Sequence, residues 1–172
     1  MVNVDAQYEA LIIAPFGAVA ISLQTNQLAI HLLAESPTAE NMLSTLPLVK
    51  KAYIQIMQYL QDPSSKFDLP NHIQGTAFQQ RVWQAIAAIP VGQTCTYSQL
   101  AEKIGSGARA VANACGANNL PLLIPCHRVL AKNGVGGFMQ GQSHGLAIKQ
   151  WLLAHELARK GVHIDQQLGQ HE

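Results

Sequence analysis

The segment with the clearest capacity for chemistry is Pro125-Cys126-His127-Arg128, which follows the apolar residues 122–124. A thiol is nucleophilic as its thiolate, and a neighbouring imidazole can accept its proton directly or through a water molecule. The preceding proline restricts the backbone and so holds the cysteine in place. Glu156 is the carboxylate best suited to orient the imidazole. A small, buried, unreactive cysteine is the alternative, and a lone Cys–His pair does not distinguish the two.

The composition is that of a folded chain with a sizeable core. The chain has 172 residues, of which 48% are apolar and 12% charged, and this suits one compact domain or two small ones. No apolar run approaches the roughly 18 residues that a membrane helix requires. Residues 1–5 lack the basic start and apolar stretch of a signal peptide. We therefore expect a cytoplasmic protein with no membrane partner.

The cysteines give a second indication of the environment. There are three of them, Cys95, Cys115 and Cys126. An odd number without any C-x-x-C pair argues against a disulfide framework and against a cysteine-rich zinc site. We expect free thiols, no metal and no cofactor.

Charge is distributed unevenly along the chain. Up to His72 there are three basic and six acidic residues, and from Ile73 onward there are eight basic and four acidic residues. A basic second half permits a nucleic-acid partner but does not require one. Ordinary scatter of surface charge would produce the same pattern.

The first half has the pattern of a small sheet and one helix. Short apolar runs at 11–13, 19–23 and 28–33 are separated by turn-forming residues. Apolar residues then recur at helical spacing between Val49 and Leu60. A stretch rich in Pro, Ser, Asn and Gly follows at 63–75. We predict an α/β protein with a strand-and-helix scaffold domain at 1–74 and a second domain at 75–172.

The second half is predicted to be mostly helical. Residues 97–104 form a short helix for which Ser98 is a natural N-cap, Gly105-Ser106-Gly107 is a tight turn, and small residues dominate the helix at 108–117. This order is typical of a winged-helix-like helix-turn-helix. Small residues also let two helices pack closely, so the pattern alone does not require DNA.

The motifs of the second half resemble those of the O6-alkylguanine-DNA alkyltransferases, the methylated-DNA–protein-cysteine methyltransferases. The resemblance covers roughly residues 76–160, and the first half fits only loosely. It rests on Ile124-Pro125-Cys126-His127-Arg128-Val129 and on collinear motifs that include Phe78-Gln79-Gln80-Arg81-Val82-Trp83, Ile89-Pro90-Val91-Gly92, Thr96-Tyr97-Ser98-Gln99-Leu100-Ala101, Ala108-Arg109-Ala110-Val111, Asn118 and Trp151-Leu152-Leu153-Ala154-His155-Glu156.

The resemblance implies catalytic roles for four residues. Cys126 takes the alkyl group from O6 of guanine, and His127 acts as its base through a water molecule. Glu156 holds His127. Tyr97 donates a proton or hydrogen bond as negative charge develops on the guanine.

The resemblance also implies a DNA-binding surface and a substrate pocket. Arg109 enters the base stack in place of the extruded nucleotide. Asn118 ties the helix-turn-helix to the active-site segment, and the carbonyls of Cys126 and Val129 receive the guanine amino group. The other DNA-binding candidates are Ser98, Ala110, Asn113, Ala114 and Arg128, and the other pocket candidates are Phe138, Met139 and Lys149.

The function implied is direct repair of double-stranded DNA that contains O6-alkylguanine, by a monomer bound through the minor groove. The alkyl group passes irreversibly to Cys126, so the protein acts once. The size of the alkyl group and activity on O4-alkylthymine stay open. Three alternatives are a non-catalytic relative that flags alkylated DNA, a cysteine hydrolase using Cys126, His127 and Glu156, and a helix-turn-helix regulator.

Overall fold

The N-terminal half is built on a three-stranded antiparallel sheet. The computed structural model describes residues 8–71, 73–132, 134, 136 and 144–158. Strands β1 (Ala10–Ala14), β2 (Gly17–Gln24) and β3 (Gln27–Leu33) lie in the order β1-β2-β3. Thr25 and Asn26 have φ of 48° and 61° and form a two-residue hairpin turn, because positive φ at both positions matches the twist of the flanking strands.

One face of the sheet is covered by helix α1 (Pro47–Gln61). This helix begins with proline in its first turn, where the missing N–H leaves no hydrogen bond unmade. Its buried face is Val49, Ala52, Ile56 and Tyr59. A contiguous apolar core joins these residues to the helices of the C-terminal half. The proposed division into domains at residues 74 and 75 stays a prediction.

The described residues of the C-terminal half form four α-helices and a short parallel strand pair. These elements are α2 (Ala77–Ala87), β4 (Cys95–Thr96), α3 (Tyr97–Ile104), α4 (Ala108–Gly116), β5 (Val129–Leu130) and α5 (Gly145–Leu157). Strands β4 and β5 are parallel, with Cys95 opposite Val129. This pairing places the start of α3 beside the active-site segment. The mixed α/β prediction is confirmed, whereas the wing stays a prediction.

The prediction that Ser98 caps α3 is wrong. Thr96 is the N-cap: its hydroxyl accepts from the N–H of Gln99 at 3.0 Å, and the Gln99 side chain accepts from the Thr96 N–H at 2.8 Å. This reciprocal capping box satisfies two N–H groups that would otherwise lack partners. Ser98 lies inside the first turn. The helix ends at Gly105, whose φ of 72° favours glycine.

Helices α3 and α4 are joined by the predicted turn at residues 105–107, and their identification as a helix-turn-helix motif stays a prediction. The Arg81 guanidinium of α2 donates to the carbonyl of Ile104 at the end of α3. The Trp83 indole donates to the carbonyl of Ala114 in α4 at 2.9 Å. Helix α2 therefore holds both helices of the motif. Within the described part of the chain, no helix is long and apolar enough to cross a membrane.

Candidate active site

The backbone around Cys126 is held in a tight 3-10 turn at Cys126–Arg128. The N–H of Cys126 donates to Ile124 at 2.8 Å, and that of Arg128 donates to Pro125 at 2.9 Å. Four residues before Cys126, Leu122 has a φ of 78°, which is unfavourable for a bulky side chain. The thiol is therefore presented by a constrained segment rather than by a free loop.

Cys126 is 4% exposed. Its thiol lies beside the C-terminal end of α4, where it contacts Cys115. The Asn118 side chain donates to the Cys126 Sγ at 3.1 Å and to the carbonyl of Ile124 at 2.9 Å, and it accepts from the N–H of Leu120 at 2.9 Å. Asn118 thus connects the end of α4 to the active-site segment, the contact that the sequence predicts.

Cys115 is the nearest other thiol. The Cys126 Sγ lies 3.9 Å from the Cys115 carbonyl oxygen. A hydrogen bond with the Cys126 thiol, followed by burial, raises the pKa of Cys115 far above its ordinary value. Cys115 is therefore held as a protonated thiol at neutral pH.

His127 and Glu156 form a buried pair. Nε2 of His127 lies 2.6 Å from Oε1 of Glu156, and both side chains are 1% exposed. Burial lowers the pKa of His127 despite the carboxylate beside it. Burial alone would raise the pKa of Glu156, but hydrogen bonds from His127 and Arg128 outweigh it and lower the pKa to about 2.

The two lowered pKa values determine which nitrogen of the His127 imidazole carries the proton. A neutral imidazole beside an ionised carboxylate donates from the nitrogen that faces it, here Nε2. Nδ1 of His127 is then the lone-pair nitrogen, and it is buried without a hydrogen-bond partner among the described residues. The arrangement leaves one basic atom able to accept a proton.

Arg128 is directed into the protein, which does not support its predicted contact with DNA. Its Nε donates to Oε2 of Glu156 and its Nη2 to Oε1, both at 2.9 Å, and Nη1 donates to the carbonyl of Ile89 at 2.6 Å. Only 11% of the side chain is exposed. A buried carboxylate needs a compensating charge, and the planar guanidinium supplies it with two parallel hydrogen bonds.

Sequence reasoning missed Tyr59, a residue of α1. Its hydroxyl donates to Oε1 of Glu156 at 2.9 Å, and the residue is 1% exposed. The available signal was a tyrosine on the buried face of a helix, because a buried hydroxyl requires a partner. The sequence does not indicate that the partner is Glu156.

Lys149, Tyr97 and Val129 lie together beside the thiol. The ammonium of buried Lys149 donates to the carbonyl of Val129 at 2.7 Å and lies 5.7 Å from the centre of the Tyr97 ring. Burial lowers the pKa of Lys149 to about 8. Burial, followed by the nearby Cys115 and Cys126, raises the pKa of Tyr97 to about 12, so its hydroxyl stays protonated at neutral pH.

The carbonyls predicted to receive guanine already have one partner each. Val129 donates its N–H to the carbonyl of Cys126, and the carbonyl of Val129 accepts from Lys149. A carbonyl oxygen has two lone pairs, so each can still accept a second hydrogen bond. Phe138 and Met139, the predicted pocket residues, lie outside the described residues.

The predicted DNA-binding residues divide into an exposed and a buried group. Ser98, Arg109 and Asn113 are exposed, and Ala110 is half-buried. Ala114 is 2% exposed and belongs to the core, so its predicted contact with DNA is not supported. The described residues contain no group of three side chains able to hold a metal ion.

A protein-family model matches most of the C-terminal half of the chain. The model for "6-O-methylguanine DNA methyltransferase, DNA binding domain" matches residues 77–158. This range contains helices α2 to α5 and the Cys126, His127 and Glu156 site.

Several relatives extend the similarity. A protein of Acanthamoeba polyphaga mimivirus named "Probable methylated-DNA--protein-cysteine methyltransferase" is 42% identical over 116 residues, which are 66% of this chain and 75% of that protein. The "Regulatory protein ada" of Salmonella typhimurium is 51% identical over 94 residues, which are 54% of this chain and 26% of that protein. The chain thus spans less than two thirds of the length of several curated relatives.

Solved structures match nearly the whole chain. The Mycobacterium tuberculosis O6-methylguanine methyltransferase has a TM-score of 0.73 and 29% identity, covering 94% of this chain and 98% of that one. A structure titled as the same organism's OGT in complex with DNA has a TM-score of 0.69 and 31% identity, covering 92% and 97%. The chain therefore belongs to the family of O6-methylguanine-DNA methyltransferases, the methylated-DNA–protein-cysteine methyltransferases.

Proposed function

We propose that this protein repairs O6-alkylguanine in double-stranded DNA by transferring the alkyl group to Cys126. The observation that carries the proposal is a thiol nucleophile next to a buried His127–Glu156 pair, at the end of a helix-turn-helix. Family membership supports the same reaction. Because water does not cleave a thioether, each protein molecule acts once.

The proposed DNA-binding element is the helix-turn-helix of α3 and α4. A base stacked in a duplex cannot reach a thiol that is 4% exposed, so the alkylated nucleotide must be flipped out. Arg109, exposed at the start of α4, is the cation proposed to fill the vacated space. The small residues of α4 permit close approach to the minor groove, where a repair protein reads shape rather than sequence.

The proposed reaction is a displacement at the alkyl carbon. The Cys126 proton passes through a water molecule to Nδ1 of His127, the one basic atom that the pair leaves without a partner among the described residues. The sulfur–carbon bond forms as the carbon–O6 bond breaks, and guanine leaves with the bonding electrons. The hydroxyl of Tyr97, which stays protonated at neutral pH, donates a proton or a hydrogen bond to the departing guanine.

Glu156 would stabilise the charge that appears on His127. Imidazolium is disfavoured by burial and by the nearby cations of Arg128 and Lys149. An ionised carboxylate 2.6 Å from Nε2 offsets this penalty. The base is therefore neutral before the reaction and stabilised as it takes the proton.

The test is to count the methyl groups removed from a duplex that contains one O6-methylguanine. The wild type should remove one methyl group per protein molecule and then stop. Cys126→Ala should remove none while still binding the duplex. Cys95→Ala, which changes a half-buried thiol elsewhere, should match the wild type.

Two outcomes would contradict this proposal. Continued turnover, or cleavage of small esters regardless of DNA, would favour a cysteine hydrolase. Lesion-selective binding by the wild type without loss of the methyl group would favour a protein that flags damage. The proposal also includes a monomer acting in the cytoplasm, and sedimentation of the protein with the duplex tests the first point.

A further inference from the structure

The N-terminal half contributes one side chain to the buried network of the active site. Tyr59 lies on α1, 97 residues before Glu156, and its hydroxyl is 2.9 Å from Oε1 of that carboxylate. Since the carboxylate is ionised, the hydroxyl must be the donor. Burial and the charge of Glu156 raise the pKa of Tyr59 well above its ordinary value, so the hydroxyl keeps its proton.

Neighbouring rings hold the tyrosine in this position. The ring of Phe67 lies 5.6 Å from that of Tyr59, and the ring of His155 meets it edge-on at 5.4 Å. Nε2 of His155 is also 2.8 Å from the Tyr59 carbonyl oxygen. Because His155 precedes Glu156 in α5, the same helix fixes both the tyrosine and the carboxylate that it contacts.

The hydroxyl contacts the oxygen that His127 uses. Oε1 of Glu156 receives Tyr59, Nε2 of His127 and Nη2 of Arg128, whereas Oε2 receives Nε of Arg128. Donors that share an oxygen compete for its electron density. Donation by Tyr59 therefore weakens the hydrogen bond between Glu156 and His127 and fixes the plane of the carboxylate.

We propose that Tyr59 is a positioning residue for alkyl transfer: it orients the Glu156 carboxylate and limits how strongly that carboxylate favours protonated His127. The inference rests on the proposed function, in which His127 is the base. It adds a direct role for the N-terminal half beyond that of a scaffold.

The electrostatic surroundings make this contribution measurable. The charged groups that act on His127 are Glu156 and Lys149 from α5 and Arg128 from the 3-10 turn. Tyr59 from α1 acts on it through its contact with Glu156. Tyr59→Phe removes a donor and adds no charge. It should therefore raise the pKa of His127 and leave the other contacts in place.

The experiment compares Tyr59→Phe with Tyr53→Phe. Tyr53 lies on the same helix, and its hydroxyl accepts from the Asn41 side chain at 3.1 Å, so its loss is a matched control. The rate of methyl transfer from a saturating methylated duplex is measured in single turnovers from pH 5 to 9. Tyr59→Phe should move the acidic limb upward by about half a pH unit or more and slow the plateau roughly threefold or more. Tyr53→Phe should change neither.

The outcomes separate the inference from the proposed function. If the wild type transfers the methyl group and Tyr59→Phe has the wild-type pH profile, the inference is wrong and Tyr59 only packs. If the wild type transfers nothing, the proposed function fails first.

A second measurement does not depend on the folding of any variant. In the wild type, the Tyr59 hydroxyl proton should exchange slowly and show a nuclear Overhauser effect to the Nε2 proton of His127. Its absence under conditions where the His127 signal is seen would also overturn the inference.

Discussion

The Glu156 carboxylate should be one of the strongest single contributors to stability at neutral pH. Glu156→Gln keeps the size of the side chain and removes its charge. It should leave the guanidinium of Arg128, 11% exposed, without its counter-charge, and the hydroxyl of Tyr59 with a weaker acceptor. We expect a large loss in the free energy of unfolding and a clear dependence of that loss on pH.

The magnitude follows from the pKa of Glu156, which falls from the model-compound value of 4.5 to about 2. A shift of this size corresponds to about 3 kcal/mol, and a side chain 1% exposed requires no reduction for screening by solvent. Because the folded pKa is depressed, the contribution is complete above about pH 4.5 and is lost toward pH 2. About 1.4 kcal/mol of it should be gone by pH 3.5.

Urea unfolding of the wild type and Glu156→Gln at pH 7 and at pH 3.5 tests this prediction. The difference between the two proteins should be about 3 kcal/mol at pH 7 and clearly smaller at pH 3.5. A cost below about 1 kcal/mol at pH 7, or an equal cost at both pH values, would refute the reasoning.

Four other changes have defined outcomes. His127→Ala should slow methyl transfer strongly at neutral pH and less at high pH, where thiols ionise without a base; a defect independent of pH would argue against a base. Arg109→Ala should slow transfer from a duplex at least tenfold more than transfer from a free O6-alkylguanine nucleoside, and equal slowing would argue against insertion into the stack. Burial lowers the pKa of Lys149 to about 8, so the charged ammonium destabilises the fold fully below pH 8 and no longer does so toward pH 10.5. In urea unfolding, the stability of the wild type relative to Lys149→Met should therefore rise by about 2 kcal/mol between pH 7.5 and 9.5. Thr96→Ala should cost about 1 kcal/mol in the same assay, whereas Ser98→Ala, two residues further along the helix, should cost little.

The sequence was sufficient for most of the elements and for the residue types of the chemical centre. Strand and helix periods predicted β1 to β3, α1, α3 and α4, because local spacing determines which face is apolar, whereas the β4–β5 pair was not predicted. Cys126 and His127 are adjacent in the chain, so their residue types alone indicated nucleophilic chemistry. Their catalytic roles stay proposals.

Contacts across the chain could not be predicted in the same way. The Tyr59–Glu156 contact joins residues 97 positions apart. The helical spacing between Val49 and Leu60 predicts a helix, but it does not indicate that Tyr59 contacts a residue of α5. The resemblance made Arg128 a candidate for DNA binding, but its side chain contacts the buried carboxylate of Glu156. Ala114 lies beside Val111 on the buried face of α4. The resemblance assigned it to DNA because of its small size, and size alone does not show which alanine of a helix faces the core.

The most direct test of the account is peptide mass mapping after incubation with a duplex that contains one O6-methylguanine. The account predicts one added methyl group, confined to the peptide that contains Cys126, with a yield that stops at one per protein molecule. Because Cys115 and Cys126 share the peptide 110–128 between two arginines, fragmentation of that peptide must locate the methyl group. A methyl group on Cys95 or Cys115, or an unmodified protein after the DNA has lost its methyl group, would contradict the proposal.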